Sequence, residues 1–289
     1  MKKLMFLFCF VHFSILAQVS GKVFNSKHQP IAYTNIWVKD GSDGATTDSL
    51  GMFTISTALK TDTLIFNAPG YHTFYEEVSN ADSVYLEAYD IPKPALLVLP
   101  EKSFHHTIGN AHFENLYFQP GNLPYMYGRY FENTNEIKTV QYIDKVIVYT
   151  KSAVAAATMK LRFIRMNEYG CPTDDLLTEP ILFEVKRGTK KNLINVLKHN
   201  IKLPKNGVFV AVEWLITENN QFRPLNFLKG ENMIQDFRYM PDVMNNKVEK
   251  VASFRYMYGE WFANDQFKSR DPKAPSELVD PAIGLILSN

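Results

Sequence analysis

Two cysteines, no charge excess of either sign and no long apolar run beyond the N-terminus are the first marks of this 289-residue chain. Each absence excludes something. Cys9 lies in the N-terminal apolar segment, so removal of that segment leaves Cys171 alone and no intrachain disulfide can form. The core must then hold the fold unaided, as a chain of this size can. Lys and Arg number 31 against 30 Asp and Glu, a net charge of +1. That balance lacks the basic excess of nucleic-acid binders and the acidic excess of solvating tails, so nucleic acid is not an expected partner. The longest later apolar run, residues 208–216, is interrupted by Glu213. It falls well short of the ~20 residues needed to cross a ~30 Å bilayer, and no transmembrane segment is expected in the mature chain.

Catalytic signatures are missing too. No His-Glu-x-x-His occurs, and none of the seven histidines has Glu three residues on, so helix-borne zinc and carboxypeptidase-type ligation lack their residues. The Gly-x-Ser-x-Gly elbow, the Gly-rich phosphate loop with Lys and Cys-x-x-Cys are likewise absent. The expectation is a protein that is not an enzyme and holds no cofactor or metal.

The composition, 46% apolar and 13% aromatic, is that of a globular chain. Lys2 and Lys3 precede an apolar run from Leu4 to Leu16 that ends at Ala17, the pattern of a secretory leader spanning residues 1–17 with cleavage after Ala17. Phe8 before Cys9 is too large for a lipoprotein signal. Cleavage leaves 29 basic against 30 acidic residues. The mature chain is expected in the periplasm, at the outer-membrane surface or outside the cell.

From Val19 to Ala88, β-rich runs recur about every ten residues between turn residues, the rhythm of a small all-β sandwich. Asp48-Ser49-Leu50-Gly51 carries Asp first and Gly fourth, the preference of a type I turn. Gly70 marks a corner that residues with a Cβ turn poorly. The landmarks Gly21-Lys22-Val23, Pro30-Ile31-Ala32, Thr47-Asp48 with Gly51 and Phe53, and Ala68-Pro69-Gly70-Tyr71 together resemble the carboxypeptidase-like regulatory domain. That resemblance implies a seven-stranded transthyretin-like sandwich over residues 18–89 and transfers no catalytic residues. The module also precedes TonB-dependent receptors, but those need a plug and a large barrel that the remaining residues are too few to supply.

Pro92, Pro94 and Pro100 mark residues 90–104 as an extended linker. Residues 105–289 again favour strands: 142–150, 159–166, 181–185, 192–196, 208–216, 251–258 and 283–287. Helical periodicity is confined to 232–245, where Pro241 interrupts it. Lys160-Leu161-Arg162-Phe163-Ile164-Arg165 alternates, so its apolar face is expected inside and its cationic face in water. Gly207 to Trp214 reads as a strand covered on both faces, with Trp214 in the core. This strand order resembles the jelly-roll-like β-sandwich domain of unassigned activity that follows regulatory-type modules in exported bacterial proteins.

Three groups of side chains stand out as sites. His105, His106, His112 and Glu114 have the ligand types for zinc, but their spacing fits no closed site and a solvated loop is expected. Asp174, Asp175 and Glu179 lack the alternating spacing of a calcium loop and are expected to be exposed turn acids. The third group is aromatic: Tyr125, Tyr127, Tyr130 and Phe131 in one stretch, Tyr256, Tyr258, Trp261 and Phe262 in another. Such rings more often pack cores, but on one exposed face they would stack on sugars. The leading expectation is an all-β, non-catalytic exported binding or structural protein of the cell envelope, its partner a glycan or an envelope protein. The alternatives are a carbohydrate-binding accessory protein using those rings, and a hydrolase with two dispersed carboxylates.

Overall fold

The computed structural model describes residues 17–41, 43–57, 59–91, 105–109, 111–134, 142–223, 237–264 and 277–289. The expected leader, except Ala17, and most of the expected linker lie outside them. Among the described residues the chain is all-β, and its longest helical pieces are three-residue 3-10 turns.

Seven strands build the N-terminal sandwich: β1 (Ala17–Asn25), β2 (Asn35–Val38), β3 (Gly44–Thr46), β4 (Met52–Thr57), β5 (Thr63–Asn67), β6 (Phe74–Glu77) and β7 (Ser83–Leu86). One sheet has the order β4-β1-β7 and the other β3-β2-β5-β6. Val23, Ile36, Val38, Phe53, Ile55, Leu64, Phe66 and Val84 fill the space between them. The turn before β4 forms as its sequence requires: Asp48 Oδ1 accepts the amides of Leu50 at 2.8 Å and Met52 at 2.9 Å, while Gly51 takes φ +76°. β2 and β5 are unusual for a small sandwich. Both are buried on their two faces, so something covers the outer face of their sheet.

The cover is the second domain. Its strands are β8 (His105–Ile108), β9 (Tyr117–Phe118), β10 (Met126–Phe131), β11 (Tyr142–Met166), β12 (Pro172–Asp175), β13 (Ile181–Asn195) and β14 (Val208–Trp214). They continue with β15 (Gln221–Phe222), β16 (Arg238–Tyr239), β17 (Asp242–Lys247), β18 (Ser253–Met257), β19 (Glu260–Ala263), β20 (Val279–Pro281) and β21 (Ile283–Ser288). β11 organises them. Its first part pairs with β21, its last part with β14, and β13 follows it from Lys145 to Leu161. A bulge between Ser152 and Ala156 lets this ribbon turn from one layer into the other, as strands do at sandwich corners. Val146, Val148, Leu161, Phe163, Val185, Val210, Val212, Trp214 and Leu285 pack between the layers.

Several expectations need correction. The strands expected at 142–150 and 159–166 are one, as are those at 181–185 and 192–196, because the bulge bends the ribbon without breaking it. The helical pattern at 232–245 is absent over its described residues: Arg238–Tyr239 and Asp242–Lys247 are strands, flanking a cis Met240–Pro241 bond. Sheet pairing and burial on both faces of β17 override a weak period that proline already opposed. The third concerns Lys160 and Arg162. β14 is buried throughout, as its sequence suggests, with Val210, Val212 and Trp214 facing the second-domain core and Phe209, Ala211 and Glu213 facing the N-terminal sandwich. β11 lies beside it in register, Lys160 opposite Glu213 and Arg162 opposite Ala211. Its cationic face is therefore not wet; Lys160 is 0% and Arg162 5% exposed.

Their partners are complete. Lys160 Nζ lies 3.0 Å from Glu213 Oε2 and donates to Tyr33 O at 2.6 Å. Arg162 makes a two-pronged pair with Asp175, and its third nitrogen donates to Asn67 Oδ1 at 2.7 Å and Glu213 Oε2 at 3.3 Å. Asn35 Nδ2 donates to Glu213 Oε1 at 2.7 Å, and the Gly70 amide donates to Asp175 Oδ2 at 3.1 Å. Two cations thus meet two carboxylates, and groups from both domains satisfy them. Burial pulls Lys160 below the ordinary lysine range, Glu213 opposing it. For Arg162 burial also works downward, but Asp175 and Glu213 outweigh it and the shift is upward. Asp175, expected as an exposed turn acid, is buried because it answers Arg162.

Apolar contacts surround the charges: Trp37 and Ile65 of the N-terminal sandwich meet Met126, Ile164, Phe209 and Tyr256. Trp37 Nε1 donates to Pro124 O at 3.0 Å. Gly70, at φ +80°, stands where a Cβ would come within 2.5 Å of Thr178 Cα.

Two outcomes follow from this seam. Glu213→Ala leaves Lys160 and Arg162 short of a counter-charge and is expected to lower the unfolding free energy by about 3–5 kcal/mol in urea titration. Gly70→Ala adds both strain and a clash and is expected to cost more than about 1 kcal/mol. Changes within the ±0.5 kcal/mol of a plain surface substitution would deny the seam its role.

Candidate ligand-binding face

The two aromatic stretches do lie side by side. β10 pairs with β18, Met126 opposite Tyr256 and Tyr127 opposite Arg255, and β18 pairs with β19, Tyr256 opposite Trp261. Alternation then divides their side chains between two faces. Tyr127 and half-buried Tyr125 pack with Phe118 and Trp214 in the second-domain core; Arg255 lies over the Phe118 and Tyr127 rings, and Tyr127 donates to Asn245 Oδ1 at 3.0 Å. Tyr130, Phe254, Tyr256 and Trp261 take the face towards the N-terminal sandwich. Tyr256 is buried there, its hydroxyl 3.0 Å from Asn67 Nδ2 and 2.8 Å from Thr73 Oγ1. Tyr258 sits at φ +54° and donates to Gly41 O at 3.0 Å. Burial holds the Tyr125, Tyr127, Tyr130, Tyr256 and Tyr258 hydroxyls above the usual tyrosine range.

Tyr125, Tyr127, Tyr130, Tyr256, Tyr258 and Trp261 therefore do not share one exposed face, as the alternative sugar-stacking platform required. Tyr127 and Tyr256 lie in two different cores, because Tyr127 stands opposite Arg255, and Tyr256, next to Arg255 on β18, points to the other face. Tyr130 and Trp261 remain partly exposed, and each lines a cavity. Trp261 borders one of 210 Å³ between the domains, with Tyr89, Arg162, Asp174 and Tyr256. Burial, helped by Asp174 and Asp175, pushes the Tyr89 hydroxyl up to about 12.

Tyr130 borders a cleft of 1090 Å³ at the end of the same sheet. Phe254 and Met166 extend the apolar wall, and Arg129, Lys205 and Lys250 face Glu132 and Glu168 around it. The polar fittings are held by backbone bonds. Asn133 Nδ2 donates to Pro204 O at 3.0 Å, and Asn167 Oδ1 accepts the Tyr169 and Cys171 amides at 3.0 and 2.9 Å. Tyr130 itself donates to Asn206 O at 2.8 Å. Gly207, at φ +73°, closes the turn beneath Tyr130, where a Cβ would lie 2.3 Å from Phe131 O. Arg129 lies over the Phe131 ring with Nη2 3.8 Å from Asp280, and its buried Nε has no hydrogen-bond partner among the described residues. Fixed amides, partly exposed rings and charges of both signs suit a polar ligand with one apolar face.

The histidines do not gather. His105 Nε2 is 3.2 Å from Asp144, His112 Nε2 is 3.6 Å from Glu114, and His106 borders the large cleft. No group of three or more His, Cys, Asp or Glu side chains within reach of one ion occurs among the described residues. Sequence reasoning missed Arg129, Met166, Asn133, Asn167, Asn206, Lys205, Lys250 and Phe254. They come from four separate segments, and only Arg129 lies within one of the aromatic stretches.

Residues 19–91 match the family model of the CarboxypepD_reg-like domain. The match falls on the seven-stranded sandwich. No curated protein matches the chain. Among solved structures, the chain is similar to the cysteine protease and lectin-like domains of Cwp84, a surface layer associated protein of Clostridium difficile. Identity is 12%, the TM-score is 0.38, and the match covers 57% of this chain and 32% of that one. The chain thus spans about a third of that structure's length.

The small cavity beside the regulatory-like module gives a direct check. Tyr256→Phe removes the hydroxyl shared by Asn67 and Thr73 and leaves buried Asn67 and part-buried Thr73 with one bond fewer each, their 3.0 Å bond to each other remaining. The expected loss in urea unfolding is about 1–3 kcal/mol; no loss would show that the hydroxyl does not organise the module boundary.

Proposed function

We propose that the chain is an exported, non-catalytic binding protein of the bacterial cell envelope, and that it holds a carbohydrate in the large cleft. The observation that carries this reading is the pairing of partly exposed Tyr130 and Phe254 with the side-chain amides of Asn133 and Asn167 around one cleft, Tyr130 being tied to the Asn206 carbonyl. A sugar has an apolar ring face that stacks on aromatic carbon and a fringe of hydroxyls that bond amides and carboxylates, so both parts of the rim have work. The regulatory-like module supports a binding or structural role and contributes no catalytic groups. Export rests on the leader-like pattern of residues 1–17.

A glycan array followed by calorimetry on the best ligand tests the proposal. Tyr130→Ala and Phe254→Ala are each expected to weaken binding about tenfold or more, roughly 1.4 kcal/mol, with thermal unfolding of the variants checked in parallel. No glycan bound at high micromolar protein would overturn the carbohydrate assignment. Glycan cleavage abolished by Glu132→Gln or Glu168→Gln would replace it with the hydrolase reading. In a Gram-negative host, the exported product should begin at Gln18; retention in the cytoplasm with Met1 intact would contradict export.

A further inference from the structure

We propose that the outer edge of β13 captures an acidic, extended segment of a partner protein as an added strand. β13 pairs with β11 from Asn195 opposite Lys145 to Ile181 opposite Leu161, and with no other strand among the described residues. Its other side therefore presents a row of backbone amides and carbonyls with no ladder among the described residues, along 15 residues that bend near Gly188. An edge of that length is a template for strand addition.

The side chains choose the occupant. Lys186, Arg187, Lys190 and Lys191 are all exposed, and none forms an ion pair with a described residue. Lys151, across the ribbon opposite Thr189, is exposed as well. A second copy of the chain paired edge to edge would set these cations against one another, which opposes self-association. An acidic strand would meet them favourably. Leu182 and Leu193, 38% and 54% exposed, flank the basic stretch at its two ends. Between them a notch of 400 Å³ opens beside Phe183, Lys186, Lys190 and Ile194 where the ribbon bends. The complementary segment is thus acidic at its centre with an apolar residue towards each end. This edge shares no residue with the large cleft, so it is separate from the proposed glycan site.

The test uses the full mature chain and a fluorescent peptide of about ten alternating Glu and Val residues, a length that matches the basic stretch. Anisotropy should report saturable binding at low salt that weakens as salt rises. Hydrogen exchange of the 181–195 amides should slow on binding. The variant carrying Lys186→Glu, Arg187→Glu, Lys190→Glu and Lys191→Glu is expected to bind at least about tenfold more weakly, with unliganded exchange in β14 reporting that it is folded. The same peptide N-methylated at alternate residues keeps its charge but cannot complete a ladder, and should not bind. Equal binding of the N-methylated peptide, binding without slower exchange in β13, or preference for heparin over the peptide would each overturn the proposal.

Discussion

Four charges buried between two domains must be neutralised together, and that requirement sets the architecture. Lys160 and Arg162 on β11 face Glu213 on β14 and Asp175 on β12, all inside the protein. An unpaired charge there would cost several kcal/mol, whereas a complete set is close to neutral against apolar residues of the same size. The cluster therefore specifies geometry more than it adds stability. Only one placement of the module brings Asn35, Asn67, Tyr33 O and the Gly70 amide onto the waiting groups. Tyr33 adopts φ +56° as its carbonyl reaches Lys160, a backbone state that an ordinary side chain disfavours.

Much of this was legible in pieces. The seven strands of the module, the Asp48–Gly51 turn, the Gly70 corner and the doubly covered β14 all follow from local pattern, because period and turn chemistry are local properties. The seam was written in the sequence as three separate oddities: an acid in an apolar strand at Glu213, cations on alternate positions at Lys160 and Arg162, and acids after a Gly-Pro loop at Asp175. Each alone has an ordinary surface explanation. Only pairing β11 with β14 and folding β12 back on β11 brings them within 4 Å, and strand partners that far apart in sequence leave no local trace. The aromatic stretches show the same limit. Their density was plain, but which rings share a face depends on register, and the register sends Tyr127 and Tyr256 to opposite sides.

The seam also explains how a binding face can exist without a dedicated scaffold. One sheet of the second domain carries the charges at one end, where the module sits, and Tyr130, Phe254 and the large cleft at the other. Docking buries the aromatic surface near Tyr256 and leaves the remainder open. Strands β10, β11, β14 and β18 that hold the rim are the strands that hold the seam, so a ligand bound as proposed would meet groups already in place, which lowers the entropic cost of binding.

Native-state hydrogen exchange of the mature chain tests the central claim most directly, by comparing amides in β5 of the module with amides in β14 of the second domain. If the buried charges make the two domains one cooperative unit, both sets exchange through the same opening, with the same free energy and the same response to urea. A module that opens at markedly lower free energy while β14 stays protected would show two units in loose contact, and would contradict the account.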